Sequence, residues 1–337
     1  MTEGHGDDLY LYDKDRIRYN FSSNVTEPPR EIIDGLHRFI KENLDCIHHY
    51  PEPGARRVEK ELARYHGIEP ENVCVTNGAT EAIYLIAMML KGGCSYISEP
   101  TFSEYRDGCM MHGHRIADSF SEDVKAYWIC NPNNPTGEVL PKNQIETLVH
   151  NHDDITFVLD QSYSEFTDQP LLSASEGCKS SNMVMVHSLT KHFAIPGLRI
   201  GYITGHKDVI SRLKQLRMPW SVNALAQESA LYLLKRQFPE GWFEEKIADA
   251  KVLRHRLMEI GIEVSPSDTH FLLCELPIGY ASDLKDWLAK EKGILIRDAS
   301  NFKGLNVGHF RVASQGREAD IELCDAVKEW LKLNKSS

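Results

Sequence analysis

Lys191 is the residue of this chain best placed for covalent chemistry. It stands in Ser188-Leu189-Thr190-Lys191-His192-Phe193-Ala194-Ile195-Pro196-Gly197-Leu198-Arg199, an apolar stretch containing glycine. Hydroxyls lie three and one positions before it, and an arginine lies eight positions after. A surface lysine needs no such neighbours. An amine removed from water near other cations gives up its proton more readily, and the neutral amine condenses with a carbonyl to form a Schiff base. Asp160 closes the apolar run Ile155-Thr156-Phe157-Val158-Leu159. A carboxylate ending a buried strand is partly desolvated and calls for a cationic partner, although a lone Asp at such a place is most often a cap or loop residue.

Three further segments follow apolar runs. Asn77-Gly78-Ala79-Thr80-Glu81 opens a helix after a short β-branched run. Its free N–H groups, the Thr80 hydroxyl and the helix dipole can hold a phosphate, and an ordinary capping turn would read the same. Pro100-Thr101-Phe102-Ser103-Glu104-Tyr105 offers the Phe102 ring, which could stack on a flat ligand or simply fill a core. Asn131-Pro132-Asn133-Asn134-Pro135-Thr136-Gly137 constrains its backbone with two prolines and a glycine, which suits an amide that must point one way. His48-His49 and His112-Gly113-His114 lack the remaining ligands of a structural metal site, so no metal is expected.

These segments need a scaffold. Short strands are expected at 72–76, 94–98 and 126–130, and the continuous apolar runs at 155–159 and 183–187 suit strands buried on both faces. Helical periods at 29–40, 58–65 and 82–90 lie between or before them. Alternating strands and helices imply a mostly parallel sheet covered on both sides, with ligands collecting at the strands' carboxyl ends. The pattern changes near residue 239: a helical stretch at 242–260 leads to short strands at 263–264, 270–275, 294–297 and 309–313, with helices at 282–292 and 317–333. The first 30 residues show no period and read as an arm.

The 337 residues suffice for two domains. Net charge is -11, which argues against binding a phosphate backbone. No run reaches the roughly 18 apolar residues of a membrane span. Met1 to Asp8 is polar and acidic, unlike a signal peptide, and the eight cysteines form no Cys-x-x-Cys pair. These features suggest a cytoplasmic protein.

Together the five segments resemble the aspartate-aminotransferase-like family of pyridoxal-phosphate enzymes of fold type I. The likeness is to its histidinol-phosphate aminotransferase and L-threonine-O-3-phosphate decarboxylase branch, and it runs from Asn20-Phe21-Ser22-Ser23-Asn24 to Phe310-Arg311-Val312-Ala313. The resemblance implies an α/β fold: a three-layer αβα large domain with a mostly parallel sheet, plus a smaller α+β domain. It places an N-terminal arm belonging to the small domain at 1–30, the cofactor-binding domain at 31–238 and the small domain at 239–337.

It also implies roles. Lys191 would carry pyridoxal 5'-phosphate and move the proton at the substrate carbon, while Asp160 would pair with the pyridine nitrogen. At about 4 Å and an effective dielectric of about 20, that pair is worth up to about 4 kcal/mol. Asn134 and Tyr163 would donate to the ring hydroxyl, with Tyr163 counted among the catalytic groups, and Phe102 would stack on the ring. Gly78, Ala79, Thr80, Ser188 and Arg199 would cradle the phosphate. Tyr50 would reach the neighbouring cofactor across a homodimer interface. Arg311 would bind the substrate carboxylate, Arg297 a substrate phosphate, and Asn24 would touch substrate.

Within the branch, several stretches are more similar to the decarboxylase of the cobalamin pathway. They are Leu44-Asp45-Cys46-Ile47, Leu189-Thr190-Lys191 with Ala194-Ile195-Pro196-Gly197-Leu198-Arg199, Met218-Pro219-Trp220-Ser221-Val222-Asn223-Ala224 and Ile294-Leu295-Ile296-Arg297 with Asn301 and Gly304-Leu305. His5-Gly6 resembles that group's arm, whereas Asp7-Asp8 departs from it and would repel a phosphate; Tyr163 is more aminotransferase-like. The expected activity is decarboxylation of L-threonine-O-3-phosphate, with transamination of histidinol phosphate and 2-oxoglutarate as the alternative. A cofactor-binding regulator without turnover would be expected to have lost Lys191 or Asp160, and the chain keeps both.

Overall fold

The computed structural model describes residues 7–120 and 123–335. The arm enters through β1 (Tyr19–Asn20). There follow β2 (Val73–Thr76), β3 (Cys94–Ile97), β4 (Arg115–Ala117), β5 (Ala126–Cys130), β6 (Thr156–Asp160), β7 (Met183–Ser188) and β8 (Gly201–Gly205). These seven form one sheet in the order β2-β8-β7-β6-β5-β3-β4. All neighbours are parallel except around β8, which runs antiparallel to both β2 and β7.

The apolar runs explain the sheet's interior position. Every residue of β2, β7 and β8 is buried, as are four of five in β6. Each large apolar side chain taken from water contributes roughly 1.5–3 kcal/mol, so a run with no polar face must be covered on both sides. Helices supply the cover. The helix Gly78–Met89 packs Ala82, Ile83 and Ile86 beside Val184, Val186 and Ile203 of the sheet, while Ile145 and Val149 of Lys142–Asn151 meet Phe157 and Met185 on another core.

β8 had no counterpart in the sequence reading. Glycines at both its ends resemble turns, yet Gly201 is there for closeness. A Cβ on it would stand 2.7 Å from Ala79 N and 2.8 Å from both Gly78 C and His187 O. That contact sets the start of the helix Gly78–Met89 directly on the sheet.

After the long helix Trp242–Glu259 come β9 (Glu263–Val264), β10 (Phe271–Glu275), β11 (Ile294–Leu295), β12 (Arg297–Asp298) and β13 (His309–Ala313). A four-stranded sheet runs β12-β13-β10-β9, with every pair antiparallel. The stretch 294–297 is not one strand as expected. Ile296 turns fully buried into the core, so β11 pairs with β1 of the arm and β12 joins β13. Phe21 of the arm shares a core with Leu253, Phe310 and Trp330. The expected helix at 282–292 is α-helical at Ala281–Trp287 and continues as a π turn, Leu288–Lys292. Among the described residues, no helix is long and apolar enough to cross a membrane.

Candidate active site

The last residues of β5, β6 and β7 are Cys130, Asp160 and Ser188, and all three line one cavity of about 270 Å³. Ala79, Thr80, Phe102, Asn134, Tyr163, Lys191, Arg199 and Arg311 complete the expected set on its wall. Gly78, Asn24, Arg297 and Tyr50 are not on that wall and are described separately below. His5 lies outside the described residues.

Lys191 sits in a single turn, Leu189–His192, that begins where β7 ends. Its Nζ donates to the Ser23 carbonyl at 2.5 Å. Burial, then the nearby Arg311 and Arg199 charges, lower the amine from its ordinary value to about 7, with Asp7 opposing. A large share of the amine is therefore neutral at physiological pH and able to attack a carbonyl.

Asp160 is 3% exposed. Its Oδ2 accepts from Tyr105 Oη at 2.8 Å and its Oδ1 from Ser162 N at 2.9 Å. Among the described residues no cation lies within ion-pair distance, and burial raises the carboxyl above the usual range. A buried acid with two donors and no counter-charge is suited to a cationic ring nitrogen from outside the chain. Tyr105 was not assigned a role from sequence. It follows Glu104 at the start of the helix Glu104–Met111, is 1% exposed, and stacks on Trp128 at 5.7 Å.

At the opposite end, Gly78 adopts φ +75°, and a Cβ on it would meet Arg199 Nη2 at 2.8 Å. The Arg199 guanidinium thus lies over the first turn of the helix Gly78–Met89, where N–H groups are unpaired by helix geometry. Positive charge and free donors at one point make an anion site. Ser188 and Thr80 add hydroxyls to the same cavity.

Tyr163 is buried and accepts from Asn24 Nδ2 at 3.2 Å. Desolvation pushes its phenol up to about 12, partly offset by Arg311. Asn24, fully buried with φ 51°, leaves its Oδ1 without a partner. Arg311 is 3% exposed and donates to Asn134 Oδ1 and the Ser22 carbonyl, with its Nε unpartnered. Arg297 is buried and does not line the cavity. It donates to Asp298 O at 2.6 Å and Asn301 Oδ1 at 2.8 Å, and its Nε is also unpartnered. Tyr50 is 88% exposed, its ring 5.7 Å from Trp220, and does not line this cavity. His114, one of the paired histidines, commits both ring nitrogens to Ser95 Oγ and Ala87 O at 2.8 Å each.

A neutral lysine, an unpaired buried acid and an anion cradle at strand ends fit pyridoxal 5'-phosphate in three separate places. The comparisons agree. The family model for aminotransferase class I and II matches residues 19–327. A histidinol-phosphate aminotransferase of Caldanaerobacter subterraneus is 31% identical, covering 95% of each chain. The threonine-phosphate decarboxylase of Salmonella typhimurium is 29% identical over 93% of this chain and 91% of its own. The solved L-threonine-O-3-phosphate decarboxylase of Porphyromonas gingivalis superposes with a TM-score of 0.89 at 37% identity, covering 93% of this chain and 99% of that one. The protein belongs to the class I and II aminotransferase family. It is an enzyme, and its cofactor is pyridoxal 5'-phosphate.

Proposed function

We propose that the enzyme decarboxylates L-threonine-O-3-phosphate, releasing carbon dioxide and a phosphorylated amino alcohol. The observation that carries a doubly anionic substrate is the pair Arg297 and Arg311. Both are buried, and neither has a carboxylate within ion-pair distance among the described residues. Two unpaired guanidiniums held out of water are costly unless anions arrive to meet them. A substrate carrying both carboxylate and phosphate supplies two, and the planar fork of arginine matches either bidentately.

When bound, pyridoxal phosphate supplies an aldehyde for the substrate amine and a cationic ring that takes up electron density from the bond being broken. The chain does the rest. Asp160 would keep positive charge on the ring nitrogen, Arg199 with Gly78, Ala79, Thr80 and Ser188 would hold the phosphate, and Phe102, Asn134 and Tyr163 would fix the ring. Lys191 delivers or removes the proton at the substrate's α carbon. Arg311 would orient the carboxylate and so govern which bond at that carbon is broken.

Transamination of histidinol phosphate with 2-oxoglutarate is the second reading. It is favoured by the Caldanaerobacter relative and by a tyrosine at position 163. Incubation of the purified enzyme with each substrate separates the two. Carbon dioxide release from L-threonine-O-3-phosphate supports the first, whereas glutamate formation without carbon dioxide refutes it.

The same reading makes the active unit a homodimer: Tyr50 stands exposed beside Trp220, and Ile47 and Met218 are exposed as well. Light scattering on the eluting protein measures that state directly. We place the enzyme in the cytoplasm, as its eight cysteines are all unpaired thiols.

A further inference from the structure

The arm brings two adjacent carboxylates to the site, and the fold treats them differently. Asp8 is 6% exposed and paired with Lys285. The pair lies near Arg297, whose guanidinium charge Asp8 favours. Asp7 lines the cavity itself, together with Lys191, Arg199 and Arg311. It has no cationic partner within ion-pair distance among the described residues. Its Oδ1 accepts instead from Leu9 N at 3.2 Å and Asn20 Nδ2 at 3.2 Å, which fix the carboxylate without neutralising it.

The arm itself is not loose here. Tyr12 Oη donates to Asp286 at 2.7 Å, Arg18 N donates to the Gly293 carbonyl at 2.7 Å, and β1 pairs with β11. Asp7 is therefore a negative charge on the arm side of a cavity that also holds Lys191, Arg199 and Arg311, with Asp160 and Glu104 as its other acidic lining residues.

We propose that Asp7 is a specificity-determining residue that bars a substrate's second anionic group from the arm side of the cavity. A phosphate is then turned toward Arg297 and Arg311 on β12 and β13, neither of which has a carboxylate within ion-pair distance among the described residues. The carboxylate works by repulsion: it discriminates against a wrong orientation, and it does so at the expense of some affinity for any highly charged ligand. Its field also reaches Lys191, where it opposes the two arginines.

This inference rests on the phosphorylated-substrate reading above. Its test uses the cofactor-loaded enzyme and Asp7→Asn, whose amide oxygen still accepts from Leu9 N and Asn20. Binding of L-threonine-O-3-phosphate and of L-threonine is followed by the change in cofactor absorbance, at low and high salt.

Removal of the charge should tighten binding of the phosphorylated ligand by about three- to tenfold at low ionic strength, shrinking as salt screens the site. L-Threonine binding should stay within about twofold, and Asp7→Glu should behave as the parent. An unchanged affinity for the phosphorylated ligand, or an equal change for both ligands, overturns the assignment and leaves Asp7 as a structural link of the arm. If neither parent nor variant binds L-threonine-O-3-phosphate, the phosphorylated-substrate reading falls and this inference falls with it.

Discussion

Arg297 and Arg311 stand directly opposite each other on β12 and β13. Residues so paired in an antiparallel sheet have Cβ atoms about 4.5–5.5 Å apart, and like charges there are destabilising. Each arginine feels the arrangement: burial lowers both guanidiniums, and Arg297 helps lower Arg311 to about 10. A fold that keeps two cations together and dry, with no carboxylate within ion-pair distance of either among the described residues, carries a stability cost that an anionic ligand would relieve.

Replacing one of them should therefore separate stability from function. Arg297→Met is expected to leave the melting temperature unchanged or raise it, because it removes a buried charge whose desolvation outweighs the help it gets from Asp8 and Asp298. It should weaken binding of phosphorylated substrates about a hundredfold while altering that of plain amino acids little. Thermal melts and parallel titrations with phosphorylated and unphosphorylated ligands measure both effects. A lowered melting temperature with equal loss for both ligands would show that Arg297 is structural.

Tyr105 holds Asp160 by a donated hydrogen bond at 2.8 Å. Tyr105→Phe removes one of two donors to that carboxylate and should cost about 1–2 kcal/mol in cofactor affinity, roughly five- to thirtyfold. Asp160→Asn removes the charge itself, and at up to about 4 kcal/mol the loss of turnover should approach a thousandfold. Equilibrium cofactor titration and steady-state rates distinguish the two. Equal, small effects from both variants would contradict the role given to Asp160.

How much of this was legible beforehand depended on where each signal lies. Lys191, Asp160 and Asn134 end or follow apolar runs, and a run with no polar face can only be an interior strand. Their placement at the carboxyl ends follows from the sheet's direction. Tyr105 and the Ser23 carbonyl were not legible, because their partners come from segments 55 and 168 positions away. β8 was hidden by glycines whose reason, contact with Ala79 and His187, exists only once the sheet has formed. Asp7 was seen as a departure from the arm's usual pattern, but its lack of a cationic partner could be seen only with Asp8 and Lys285 in place.

The cradle depends on a glycine. At φ +75°, Gly78 adopts a backbone that side chains resist, and a Cβ would press on Arg199 at 2.8 Å. Gly78→Ala should displace the guanidinium and weaken cofactor binding about tenfold or more, with less effect on folding than the same change at Gly201. At Gly201 the clashing atoms are backbone. Cofactor dissociation constants and melting curves for the two variants provide the check.

Three imidazoles, His270 fully buried and His66 and His192 half-buried, set an acid limit. Burial lowers His66 and His192 to about 4 and His270 to about 3. The unfolded chain takes up protons near pH 6.5, and the folded chain does not until near 4 or below. Stability supplied by neutral burial is thus complete above about 6.5 and lost as pH falls from there. For fully buried His270 the loss is on the order of 3 kcal/mol by pH 4. Denaturant melts between pH 7 and 4 should show that decline, and His270→Phe should make it shallower. An identical slope in the variant would show that His270 is not a source.

The account's central claim concerns the amine of residue 191, and borohydride reduction of the cofactor-loaded protein tests it most directly. Reduction followed by peptide mapping should recover one pyridoxyl group per chain, on Lys191. Lys191→Ala should trap none. Capture should also rise with pH through about 7, the value to which burial and the arginines bring that amine. A protein that binds the cofactor yet yields no adduct at residue 191, or carries it on another lysine, contradicts the account.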